Sequence, residues 1–148
     1  MYYYGYEAFK SDMAVLADQS RSFDAEVIVG IARGGLAPAL ALSHAHGIRN
    51  VQTLRTELYD DQKLRDQINI FGSLELEGIK RVLLVDDILD SGRTLQALLE
   101  DLSKKHPRVV FKTAVLFYKE RALVEADFKV RHADEWIEFF WEKDFGES

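Results

Sequence analysis

The chain has 148 residues, 47% of them hydrophobic and 30% charged, and a formal net charge of −6. That length suits one domain able to bury about two thirds of its unfolded surface, and the acidic balance without any Lys/Arg block argues against nucleic-acid binding, which needs a clustered basic face. No cysteine is present, so disulfides and thiolate zinc sites are excluded, and the four histidines (His44, His46, His106, His132) are scattered.

Tyr6, Phe9, Met13, Leu16 and Ala17 recur at helical spacing and predict an amphipathic helix that ends before Asp24. The tyrosines at 2, 3, 4 and 6 read as packing or contact residues. Val27–Ile31 is a continuous apolar run, the pattern of a strand buried on both faces. Ala32-Arg33-Gly34-Gly35 then makes a turn, and Leu36–His46 a helix that tolerates Pro38 in its first turn and stops at Gly47. Val51–Leu58 alternates weakly and predicts another strand. Tyr59–Gly78 is polar, charged and without firm period, a candidate mobile lid. A strand over Arg81–Val85, a helix over Leu95–Lys105, a strand over Val109–Tyr118 and an aromatic tail with Trp136, Phe139, Phe140 and Trp141 complete the chain. Strands alternating with helices predict an α/β fold, a mostly parallel twisted sheet flanked by helices with ligands at the carboxyl ends of the strands. The longest apolar run, Leu36 to Leu42, is too short to span a bilayer. The opening MYYYGYEAFK lacks the n- and h-regions of a signal peptide, so a cytoplasmic protein without membrane contact is expected.

The chemistry concentrates in RVLLVDDILDSGRTL, residues 81–95. Asp86 and Asp87 sit at the end of a buried strand, Ser91-Gly92 forces a sharp turn, and Thr94 leads into a helix whose free N–H groups attract phosphate. The two acids cannot face that phosphate without repulsion. They suit a vicinal diol or Mg²⁺ instead, and a ribose 5-phosphate fits both halves. Arg33-Gly34-Gly35 follows the first buried strand in the same way and forms a second anion site, where the glycines admit close backbone approach and the arginine adds charge. Blander readings exist for each piece: Asp90 or Ser91 as a helix cap, Arg-Gly-Gly as a plain tight turn, Lys119 as a solvated strand-end lysine and Trp136 as a core residue.

The string of four apolar residues, Asp-Asp, two apolar residues and Asp-Ser-Gly-x-Thr closely resembles the phosphoribosyl-pyrophosphate motif of type I phosphoribosyltransferases. GIARGGLAPALAL is similar to the pyrophosphate loop of the 6-oxopurine branch, LFYKERALVEADF to its base-binding strand end, and DEWIEFFWE to its C-terminal hood. The resemblance extends through nearly the whole chain and is closest to the bacterial xanthine–guanine–hypoxanthine enzymes. It implies a single domain over 1–148, with a hood from about 119–148 and a lid from about 59–78. It also implies transfer of 5-phosphoribosyl from phosphoribosyl pyrophosphate to N9 of guanine, xanthine or hypoxanthine.

By the same resemblance, Asp86 and Asp87 hold the ribose hydroxyls and Mg²⁺, and Asp90, Ser91, Gly92, Arg93 and Thr94 cradle the 5-phosphate. Arg33 and Gly34 hold pyrophosphate beside a non-proline cis peptide, expected at Arg33–Gly34, and Arg65 reaches the pyrophosphate from the lid. Asp90 is the implied catalytic proton acceptor near the purine imidazole, Lys119 donates to O6, Trp136 stacks on the base and the Ile137 main chain meets its edge. A homo-oligomer, dimer or tetramer, is expected. The lid's usual Ser-Tyr pair is Leu58-Tyr59 here, so the serine hydroxyl is missing. Two other functions on this fold are weighed: a uracil or orotate phosphoribosyltransferase, which would lack the purine hood, and a nucleotide-sensing regulator, which would need a basic nucleic-acid surface.

Overall fold

A computed structural model describes residues 1–60 and 66–146. The chain opens with a short strand β1 (Tyr2–Tyr4), then α1 (Tyr6–Ser20), whose buried stripe includes Phe9, Met13, Leu16 and Ala17. A single 3₁₀ turn, Arg21–Phe23, ends at Asp24 in the left-handed region (φ 55°). Next come β2 (Val27–Ala32), α2 (Leu36–His46), β3 (Val51–Asp60), β4 (Asp66–Phe71) and β5 (Arg81–Leu89). Then follow α3 (Arg93–Lys105), β6 (Val110–Tyr118), β7 (Phe128–His132), β8 (Ile137–Phe139) and the short α4 (Phe140–Lys143). Gly47 terminates α2 with φ 67° and returns its amide to His44 and Ser43, the left-handed cap expected there.

Six strands form one sheet in the order β4-β3-β2-β5-β6-β7, parallel except for the antiparallel edge strand β4. Residues of β2 and β5 alternate between two cores. Ile28, Leu83 and Val85 pack with α1 and α2, whereas Val27, Val29, Val82 and Leu84 pack with Leu95, Leu98 and Leu102 of α3. Burial on both faces is why these strands read as unbroken apolar runs. The chain passes from β2 to β3 on one side and then returns to β5 on the other, so the carboxyl ends of β2 and β5 flank a switch point where an open α/β sheet receives its ligand.

Three details differ from expectation. The candidate lid is not wholly irregular: β4 pairs with β3 from Arg55↔Phe71 to Asp60↔Asp66, and Leu74 and Leu76 behind it are buried in the α3-side core. Ile68 and Ile70 carry the two-residue period that signals this strand, but between polar neighbours the run is too short to stand out. Residues 61–65 of the lid, Arg65 among them, lie outside the described residues. Second, β5 continues through Asp86 and Asp87 to Leu89, because Asp86, Ile88 and Leu89 go on pairing with β6. Third, β1 and β8 form a separate two-stranded parallel sheet between the two ends of the chain. Among the described residues no helix is long and apolar enough to cross a membrane.

Candidate active site

At the end of β5 the Asp86 carboxylate accepts the Asp87 amide (2.9 Å) and the Asp87 carboxylate accepts the Ile88 amide (2.8 Å). Both side chains are half-buried, and burial pushes both carboxyl groups upward, Asp86 well above the ordinary aspartate range with the neighbouring Asp87 charge adding to the effect. Adjacent acids held this way gain from a cation or from hydroxyl donors. Asp90–Gly92 then turn the chain into α3. Gly92 adopts φ 82°, where a side chain is strained, and a Cβ there would also stand 2.9 Å from the Leu123 amide nitrogen. The Arg93 amide donates to Ser91 Oγ (3.2 Å), the Gln96 amide to the Gly92 carbonyl (2.9 Å) and the Leu123 amide to the Ser91 carbonyl (2.8 Å). The turn is therefore held from both its own helix and the loop after β6.

At the end of β2 the peptide bond between Ala32 and Arg33 is cis. This corrects the expectation of Arg33–Gly34: the reversal begins at the last strand residue, and the two glycines that follow serve close approach. A Cβ on Gly34 would overlap the Asp87 carboxylate, and one on Gly35 would overlap the Val85 carbonyl and Ile31 backbone. These contacts join the two loops, one from β2 and one from β5, into a single floor.

Three clefts meet over that floor. One of about 180 Å³ lies between the sheet and the start of α3, with Asp86, Asp90, Ser91, Gly92 and Thr94 on one side and apolar residues such as Leu84, Leu95 and Leu98 on the other. A second, about 470 Å³, lies between Arg33, Gly34 and Asp87 on one side and Trp141 and Glu142 on the other. The third, about 430 Å³, runs from Asp87 and Asp90 to Lys119, Trp136 and Ile137. Asp87 borders the second and third, and Asp90 the first and third. Lys119 Nζ pairs with Asp90 Oδ1 at 2.9 Å, in an ion pair that is largely open to water. Trp136 is 76% exposed, which rules out a core role and leaves its ring face free for a planar ligand.

The structure thus brings Arg33, Gly34, Asp86, Asp87, Asp90, Ser91, Gly92, Thr94, Lys119, Trp136 and Ile137 around connected clefts. Arg93 borders none of these three and contributes its amide to the turn. Arg65 is outside the described residues, and Leu58 lies within β3 opposite Ile68. Sequence reasoning missed Asp134, Glu135 and Glu142, which also line the clefts. Their signal was only their place inside the acidic, aromatic tail.

The chain matches the phosphoribosyl transferase domain family over residues 8–145. It is 36% identical over 117 residues to a xanthine-guanine phosphoribosyltransferase of Cereibacter sphaeroides, covering 78% of this chain and 68% of that one. Its fold is similar to that of the Helicobacter pylori xanthine-guanine-hypoxanthine phosphoribosyltransferase, with a TM-score of 0.87 and 35% identity over 97% of this chain and 95% of the other. A purine phosphoribosyltransferase of Pyrococcus horikoshii superposes with a TM-score of 0.78 at 33% identity, over 94% of this chain and 92% of that one. With the family matched over nearly its whole length and the strand-end loops of β2 and β5 fused into one floor, the chain belongs to the phosphoribosyltransferase family.

Proposed function

We propose that this protein is a purine-salvage enzyme that transfers 5-phosphoribosyl from phosphoribosyl pyrophosphate to N9 of a 6-oxopurine, yielding the nucleoside monophosphate and pyrophosphate. The observation that carries this reading is the contact of Gly34 with the Asp87 carboxylate, which sets an anion loop directly against a diol-binding acid pair. A sugar bearing a leaving group at C1 and a phosphate at C5 needs both at once.

The 5-phosphate belongs in the Asp90–Thr94 turn, where the amides at the start of α3 face it and the α3 dipole favours its charge. The ribose hydroxyls donate to Asp86 and Asp87. The diphosphate lies against Arg33 and Gly34, so positive charge and backbone donors stand where negative charge develops as the C1–O bond lengthens.

For Mg²⁺, which phosphoribosyl-pyrophosphate chemistry implies, the donor set fits: two hard oxygen ligands, both pushed toward protonation by burial, share one strand end. No cluster of three or more potential ligands exists among the described residues, so substrate oxygens and water would complete the shell around Asp86 and Asp87. Bound there, Mg²⁺ supplies neutralisation of the leaving diphosphate.

The purine lies along the Asp90–Lys119–Trp136 cleft. Trp136 offers its ring face, and the Ile137 main chain meets the base edge. In the free enzyme Lys119 and Asp90 neutralise each other; a bound 6-oxopurine draws them apart, the ammonium to O6 and the carboxylate to the imidazole side, where Asp90 accepts the proton as N9 forms its bond. An ammonium only donates, so adenine, with a donor at position 6, leaves two donors opposed.

A pyrophosphate-release assay over guanine, xanthine, hypoxanthine, adenine, uracil and orotate tests the reading. The three 6-oxopurines should turn over, with adenine at least about 10³-fold lower in kcat/KM. Preferential use of uracil or orotate would refute the purine assignment.

A further inference from the structure

We propose that the N-terminal strand β1 is a working part of the purine-binding hood, positioned by the buried Tyr4 and Asp12 together with the half-exposed Arg131, so that these three residues set purine affinity without touching the purine. The inference rests on the reading of Trp136 and Ile137 as base-contacting residues.

Among the described residues, the strand that supports β8 is β1. Tyr2 registers with Ile137, Tyr3 with Glu138 and Tyr4 with Phe139, and the Tyr2 amide donates to the Trp136 carbonyl at 2.9 Å. The Trp136 ring is mostly exposed, so its position is governed by its main chain, and one of the bonds holding that main chain comes from β1. A pair of three-residue strands has little stability of its own. It needs an anchor to the body of the molecule, and Asp12 supplies one.

Asp12 lies in the apolar stripe of α1 and is 5% exposed. A single oxygen, Oδ2, accepts the Tyr4 hydroxyl from β1 at 2.6 Å and Arg131 Nε from β7 at 2.6 Å. One carboxylate therefore ties the small sheet to α1 and to the edge of the large sheet. The Tyr4 ring, fully buried, meets Phe117 of β6 edge-on at 4.9 Å and Phe139 of β8 at 5.8 Å between centroids. Displacing Tyr4 moves β1, and with it the acceptor carbonyl on Trp136. Neither Asp12 nor Arg131 borders the three ligand clefts described above, and catalysis as derived makes no use of them. Misplacement of a base by about 1 Å is felt in affinity and alignment.

The test compares Tyr4→Phe and Asp12→Asn with Trp136→Ala in steady-state kinetics, and follows amide exchange of the wild-type protein with and without guanosine monophosphate. Tyr4→Phe keeps the ring and deletes only the hydroxyl. The expected result is a guanine KM raised about three- to tenfold, the scale of one lost buried hydrogen bond, with the phosphoribosyl-pyrophosphate KM and kcat within about twofold. In the wild-type protein, where folding is not in question, the nucleotide should protect the Tyr2–Tyr4 amides together with those of Ile137–Phe139. Equal rises in both KM values would mark a merely structural cluster and overturn the proposal, as would protection of Ile137–Phe139 with Tyr2–Tyr4 unchanged. If Trp136→Ala leaves the guanine KM unaltered, the hood reading itself falls and takes this inference with it; if only Tyr4→Phe and Asp12→Asn are silent, the hood stands and the role of β1 does not.

Discussion

Asp90 shows how one side chain serves two neighbours. It begins the turn that leads into α3, pairs with Lys119 at 2.9 Å and borders two clefts, the one at that turn and the one that runs to Trp136. Asp90→Asn preserves its size and leaves the turn's amides in place. Phosphoribosyl-pyrophosphate affinity should remain within a few-fold, while kcat falls by about 10²–10⁴, the range for removing a positioned acid–base group; single-turnover kinetics read the two effects separately, and an undiminished kcat would remove Asp90 from proton transfer. Asp86 makes a contrasting case. Its carboxyl is raised in the folded protein by burial first and by Asp87 second, and a raised acid favours folding fully only below its unfolded pKa, the advantage being lost as pH rises through the folded value. At neutral pH the pair therefore opposes folding. Asp86→Asn, which keeps the oxygen that accepts the Asp87 amide, should melt a few degrees higher than wild type at pH 7 in EDTA and show little difference near pH 4, while losing activity. A lower melting temperature at pH 7 would contradict the charge argument.

At the scale of elements, legibility in the sequence follows how local each signal is. β2 and β5 announce themselves by runs of four or more apolar residues because both their faces are buried, and α1 by the stripe from Phe9 to Ala17. Gly47 marks the end of α2 because only a left-handed residue caps it. β1 and β8 escape notice because each has three residues and their partners lie at opposite ends of the chain; nothing near Tyr2 points to Ile137. Asp12 was legible in principle as a lone carboxylate inside an apolar helical stripe, although its partners Tyr4 and Arg131 were not. Asp86, Asp87, the two strand-end turns, Lys119 and Trp136 could be put forward as one site because each lies in a short contiguous string, and the structure places them around connected clefts. The cis bond falls one residue from its expected place because spacing alone does not say where the strand stops and the reversal starts.

The β3–β4 hairpin carries the clearest consequence at this scale. It sits at the sheet edge, with Arg55 stacked 3.8 Å from the Phe71 ring centroid at its base and Leu74 and Leu76 anchoring the return. Of the described part of the expected lid, Leu74 and Leu76 are buried in the α3-side core, so any rearrangement on substrate binding is expected in β4, residues 66–71, rather than at Leu74–Leu76. Hydrogen exchange should show gain of protection over 66–71 when phosphoribosyl pyrophosphate and a non-reactive purine analogue are both bound, with Leu74–Leu76 already protected in the free protein. Equal protection of 66–71 in both states would show a rigid β4 and end the gating idea.

Across the whole molecule, the residues of the β2 and β5 strand-end loops that border the clefts carry one cation, Arg33, against Asp86, Asp87 and Asp90. A highly charged diphosphate bound there calls for a divalent cation. EDTA should abolish turnover and added Mg²⁺ restore it; full activity in chelator would contradict the use of Asp86 and Asp87 as metal-side ligands.

The floor beneath the clefts has a further implication for changing what the enzyme accepts. In the proposed assignment the donor half is built where glycines touch main chain and a carboxylate, at Gly34 against Asp87 and Gly35 against Val85, so it offers almost no position that can be rewritten. The acceptor half is made of side chains on the last strands and their loops, which are replaceable. New acceptor chemistry is thus most readily imported as a cassette of residues 119–146 from a relative, with the donor half left native. The cassette has a hidden piece, however: β8 finds its partner at the other end of the polypeptide, so a graft that leaves the recipient's residues 2–4 behind would transplant half of a sheet.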